Sequence, residues 1–143
     1  MNVQQKTILI IDDERTYIEA LKDALDYEGF KVLTATTAEE ALRILKNERV
    51  DLATVDIMMP PGHSLESQAK SDRTGVVLCR TIKKLYPQTA IICISVVTDR
   101  ETIKEIEGHN IRFLRKGEVP LRTVLDHITT KLLGKAFTSS NDD

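Results

Sequence analysis

TILIIDDE, residues 7–14, is a strand-length run of β-branched and aliphatic residues that stops at three acids. A surface helix would space its apolar residues three and four apart, and a half-exposed strand would alternate them with polar ones. An unbroken run this short fits a strand covered on both faces, as in a parallel sheet flanked by helices. Four more runs have the same character: KVLTA (31–35), LATVD (52–56), AIICIS (90–95) and IRFL (111–114). Each is followed by a segment of helical period. Tyr17, Leu21, Ala24 and Leu25 mark one face of the first. TAEEALRILKN, from Thr37, opens with Thr37 and Glu40 in capping-box spacing and offers Ala41, Leu42 and Leu45 to a core. Leu78, Ile82 and Leu85 line the third, which stops before Pro87. Ile103 and Ile106 are the few anchors of the fourth, at 99–107, and Leu121, Val124, Leu125, Ile128 and Leu132 those of the fifth. Crossovers between parallel strands are right-handed, so five βα units predict an α/β fold, a doubly wound five-stranded parallel sheet in the order 2-1-3-4-5 with five helices.

The chain has 143 residues, a length for one domain with a sizeable core. Hydrophobic residues at 41% and charged residues at 29% argue against a disordered chain. A formal net charge of −2 provides no positive field for a phosphate backbone, so direct nucleic-acid binding is not expected. The apolar runs are far shorter than the roughly 20 residues that span a bilayer, and MNVQQKT has no signal-peptide pattern, so the expected location is the cytoplasm, off the membrane. Cys79 and Cys93 lack metal-ligand spacing and read as buried, reduced thiols.

In a sheet of this type ligands bind beyond the carboxyl ends of the strands, at the switch point between the first and third. Asp12 and Asp13 end strand one, Asp56 ends strand three, Ser95 ends strand four, and Lys116 follows strand five. Clustered carboxylates cannot all stay ionised cheaply without a cation among them, and a hard ion with oxygen ligands, Mg²⁺ above all, resolves the conflict. A carboxylate beside Mg²⁺ can attack phosphorus to give an aspartyl phosphate. Lys116 and the metal would neutralise the transferring oxygens, and Ser95 could donate a hydrogen bond to one of them. Taken singly, these residues have plainer readings: Asp12 and Asp13 as helix caps, Asp56 as a turn former, Ser95 and Lys116 as structural or solvated. Their joint placement at four strand ends favours a site.

With DDE at 12–14, VDIMMP at 55–60, Ser95 and FLRK at 113–116 in this order, the chain resembles the receiver domain of two-component response regulators, the CheY-like superfamily, over about residues 5–133. The resemblance implies a flavodoxin-like fold. It also implies a phosphoacceptor at Asp56, a metal pocket of Asp12, Asp13, Asp56 and the Met58 backbone carbonyl, a switch pair of Ser95 and Phe113, and phosphate contacts from Lys116 and Ser95. The expected protein is a phosphorelay switch rather than an enzyme. It would take its phosphoryl group from a sensor histidine kinase or a histidine phosphotransfer protein and signal to a downstream protein through its helix 4, strand 5 and helix 5 face. It would act as a monomer or a phosphorylation-dependent dimer. Two other readings stand beside it: a receiver-like binding scaffold that is never phosphorylated, and a Mg²⁺ phosphohydrolase, which would want an acid two residues past Asp56 where the chain has Met58.

Three departures from the family pattern stand out. Gly117 follows Lys116 where proline in a cis linkage is usual. Val96 follows Ser95 where small residues are common, a change expected to narrow access to the phosphate. Gly75, expected to open helix three, lies fifteen residues past Pro60, an insertion of about ten residues at 61–73 by comparison with the family. The insertion is polar enough to be a surface loop. Its His63 could be read as a ligand or relay, but lone histidines, with His109 and His127, more often are not. Residues 1–134 are expected to form the receiver domain and 135–143 a flexible tail.

Overall fold

The computed structural model describes residues 5–62, 72–96 and 99–134. His63, most of the expected insertion and the 135–143 tail lie outside the described residues. Five strands, β1 (Thr7–Ile11), β2 (Lys31–Ala35), β3 (Leu52–Val55), β4 (Ala90–Ser95) and β5 (Arg112–Arg115), alternate with five helices. These are α1 (Arg15–Tyr27), α2 (Ala38–Asn47), α3 (Asp72–Leu85), α4 (Arg100–Gly108) and α5 (Leu121–Leu133). The strands are all parallel, in the order β2-β1-β3-β4-β5, as expected. β5 starts one residue later than its apolar pattern suggests, although Ile111 is buried ahead of it.

Strand residues alternate between two cores, as the period of two requires. Ile8, Ile10, Leu52, Ile92 and Ile94 face α1 and α5, packing with Leu21, Leu25, Val124 and Ile128. Leu9, Ile11, Ala53, Val55, Ile91 and Cys93 face α2, α3 and α4, packing with Ala41, Leu45, Val76, Ile82 and Ile106. Two of the expected anchors do not hold. Leu85 is 58% exposed, because Val76, Cys79 and Ile82 already present the inner stripe of α3 and Leu85 falls beyond it. In α4 the buried side chains are Thr102 and Ile106, with Ile103 half-buried. The Thr102 N–H and hydroxyl both donate to the capping carboxylate of Asp99.

Thr37 caps α2 as read, while Glu40 reaches one residue past the cap, to Thr36. Thr37 Oγ1 accepts the Glu40 N–H at 3.1 Å, and the Glu40 carboxylate reaches back to the Thr36 N–H at 2.9 Å. Two further orphan donors of that helix are satisfied from the β3 loop, Ala38 N–H by the Pro60 carbonyl and Glu39 N–H by that of Pro61. The paired prolines therefore serve α2 through their carbonyls, since a proline backbone offers an acceptor and no donor. α3 begins at Asp72, so the last two residues assigned to the insertion form its first turn. Gly75 sits inside that turn, and its N–H donates to the Ile57 carbonyl at 3.0 Å.

Candidate functional site

The site lies at the carboxyl edge of β1, β3, β4 and β5, and backbone hydrogen bonds carried one step past the strands hold its residues in place. Asp12 N–H donates to Ala35 O at 3.0 Å, Asp56 N–H to Ile11 O at 2.9 Å and Lys116 N–H to Ser95 O at 3.0 Å. Each of these three side chains thus starts from a backbone pinned to its neighbouring strand. Asp12 does not cap α1, whose N-cap is Glu14 and has no side-chain cap bond. Its Oδ1 accepts the Glu14 N–H at 2.9 Å instead, a local turn that aims the other oxygen across the edge.

Asp56 is the point of convergence. Its Oδ1 accepts the Ser95 hydroxyl at 2.8 Å and the Met58 N–H at 3.1 Å. Its Oδ2 faces Lys116 Nζ at 3.3 Å. Lys116 lies 2.7 Å from Asp12 Oδ2 and 3.1 Å from Glu14 Oε1, and 4.8 Å from the centroid of the Tyr17 ring. Its side chain is only 8% exposed. One ammonium, stacked on an aromatic face, is shared by three carboxylates.

That sharing leaves negative charge in excess. Asp12 is raised to about 6, first by burial and then by the charge of Asp56, and the Lys116 contacts do not offset the two. Lys116 itself is held above its ordinary value: burial works against its charge, but the Asp12 hydrogen bond and the Asp56 charge more than compensate. In an isolated ion pair the acid would move down as the base moves up. Here both move up, because at Asp12 burial and then the Asp56 charge outweigh the Lys116 contacts. Carboxylate oxygens of Asp12, Asp13 and Asp56 lie within 4.8 Å of one another, a hard three-oxygen set that could hold a metal ion and supply the missing positive charge.

All five residues read from the strand ends, Asp12, Asp13, Asp56, Ser95 and Lys116, are brought to this edge. Met58 is half-buried and reaches Asp56 through its N–H. Phe113 is half-buried against the core on the Cys93 side of the sheet. Val96 is 58% exposed. Gly117 adopts φ +88°, and no cis peptide bond occurs among the described residues, so this loop turns through a left-handed glycine at the position where proline is usual. Sequence reasoning missed Glu14 and Tyr17 as partners of Lys116. Their spacing of three places them on one side of the first turn of α1, a signal that was read only as core for Tyr17.

The sequence matches the response regulator receiver domain family over residues 8–120. It is 26% identical to the response regulator SaeR of Staphylococcus aureus over 92% of this chain, and spans 62% of the length of that relative. Among solved structures it is similar to a CheY-like receiver domain protein from Methanospirillum hungatei, with a TM-score of 0.76, 28% identity, and 90% and 94% of the two chains covered. The fold is also shared with a Burkholderia pseudomallei response regulator solved with a phosphorylated aspartic acid, a calcium ion and citrate, at TM-score 0.68 and 20% identity, covering 90% of this chain and 66% of that one.

Proposed function

Since the chain belongs to the response regulator receiver domain family, we propose that Asp56 is its phosphoacceptor. In this reading an Asp56 oxygen attacks phosphorus while the P–N bond of a phosphohistidine breaks, on a sensor histidine kinase or a histidine phosphotransfer protein. The observation that carries the reading is the convergence of Ser95, Met58 N–H and Lys116 on one buried carboxylate beside two further acids. Residues 1–134 act as the receiver unit.

Each group has a task. Asp12 and Asp13, with Asp56 and the Met58 carbonyl, would hold Mg²⁺, which when bound neutralises phosphoryl oxygens. Lys116, 3.3 Å from Asp56 Oδ2, would pair its ammonium with an oxygen of a phosphoryl group on that carboxylate. Ser95 already donates to Asp56 and needs only to follow the new acceptor. That movement at the end of β4, with Phe113 following on β5, would reshape the α4, β5 and α5 face that a downstream protein reads. The phosphorylated relative of the same fold supports the assignment by analogy.

The test is intact mass after incubation with acetyl phosphate and Mg²⁺. The parent should gain about 80 Da, one phosphoryl group, and Asp56→Asn should gain nothing because an amide offers no anionic oxygen. Equal labelling of the variant would move the phosphoacceptor elsewhere, and no labelling of either would favour an unphosphorylated binding scaffold. Steady release of phosphate from a monoester would instead favour the hydrolase reading.

A further inference from the structure

The chain has two cysteines, fourteen residues apart on different elements, and the fold brings their sulfurs together. Cys79 Sγ on α3 lies 3.4 Å from Cys93 Sγ on β4, and both side chains are fully buried. A disulfide needs sulfurs about 2.05 Å apart, a further approach of the size that small χ1 rotations of two facing side chains can supply. Nothing in the phosphoacceptor reading uses either thiol. We propose that Cys79 and Cys93 form a buried dithiol that a hydroperoxide oxidises to an intramolecular disulfide tying α3 to β4.

The chemistry balances with hydrogen peroxide as the oxidant. One of the two sulfurs attacks one peroxide oxygen, the O–O bond breaks, and the products are a sulfenic acid and water. The other sulfur then attacks the sulfenic sulfur, the S–O bond breaks, and the departing oxygen leaves as a second water with the attacking thiol's proton. Two thiols lose two electrons and the peroxide gains them.

The hydrogen bond to Cys79, with burial next, pushes the Cys93 thiol well above its usual range. Either sulfur can be the donor in the contact, so the first attack is open to both thiols. Full burial of both sets the rate: oxidant reaches the pair only through local opening, so oxidation is slower than at an exposed thiol. Cys93 stands two residues before Ser95 and opposite Phe113 in the β4–β5 register. The new bond would thus brace the strand that carries the hydroxyl donor to Asp56.

The experiment uses the full chain, exposed to hydrogen peroxide under native conditions, freed of oxidant and then unfolded in N-ethylmaleimide. Intact mass should show a monomer about 2 Da lighter that takes up no maleimide, with both thiols becoming alkylatable after dithiothreitol. Asp56→Asn should oxidise in the same way, so this outcome is independent of the phosphoacceptor assignment. The proposal is overturned if both thiols remain alkylatable without reductant, if the product carries added oxygen on unlinked cysteines, or if the disulfide joins two chains.

Discussion

Gly75→Ala is expected to destabilise this protein, although glycine-to-alanine inside a helix ordinarily stabilises it by about 1 kcal/mol. A Cβ built on Gly75 would overlap the Ile57 Cα and would stand 2.5 Å from the Ile57 carbonyl oxygen and 2.8 Å from its carbonyl carbon. Comfortable carbon contacts are about 3.5–4.0 Å, and all three atoms are backbone, so no rotamer change relieves the overlap. α3 must move outward, which strains the 3.0 Å bond from Gly75 N–H to Ile57 O. Overpacking costs about 1–3 kcal/mol, taken here near its upper end, and a weakened buried hydrogen bond adds about 1 kcal/mol. Set against the helix-propensity gain, the net loss is about 2–3 kcal/mol. The measurement is the urea midpoint at constant m. Gly108→Ala in α4 is the internal control, since nothing lies within 4 Å of its added Cβ, and it should match or exceed the parent. Because Ile57 directly follows Asp56, the Gly75 variant should also accept phosphoryl more slowly. A Gly75→Ala protein as stable as the parent would refute the steric argument.

Lys116→Met leaves the buried carboxylates of Asp12 and Asp56 without their shared cation, a loss of about 3 kcal/mol without added metal, and Mg²⁺ should recover part of it. A urea midpoint within error of the parent, or a deficit that Mg²⁺ leaves untouched, would contradict that electrostatic picture. Asp12 is raised to about 6 from an ordinary 3.8, first by burial. Between those values the folded protein keeps a proton that the unfolded chain has released, so metal-free stability should fall as pH rises through the window. Asp12→Asn should lose this part of the slope, and an identical pH profile in the variant would show that Asp12 does not titrate there. Gly117→Pro should destabilise the loop by more than about 1 kcal/mol, because proline holds φ near −65° and Gly117 stands at +88°. An unchanged melting temperature in that variant would show that the loop adopts a proline-compatible turn at no cost.

The sheet and the cast of the site are both legible in the order of the residues. Apolar runs of four to six residues and helical periodicity are local signals, carried by neighbours in the chain, and right-handed crossovers convert their order into a topology. Asp12, Asp13, Asp56, Ser95 and Lys116 were legible because each stands at the end of such a run. How charge is shared among them emerges once the chain is packed. Glu14 joins Lys116 across 102 residues of sequence, and no periodicity reports which of several acids a flexible ammonium will reach. The same holds for the Cys79 and Cys93 sulfurs, which meet because α3 lies over β4. It holds for Gly75, which reads as a helix opener until the Ile57 backbone is seen against it. Local pattern says which face a residue turns inward, but the ångström-scale distances that set ion pairing, thiol contact and steric room arise only when distant segments pack together.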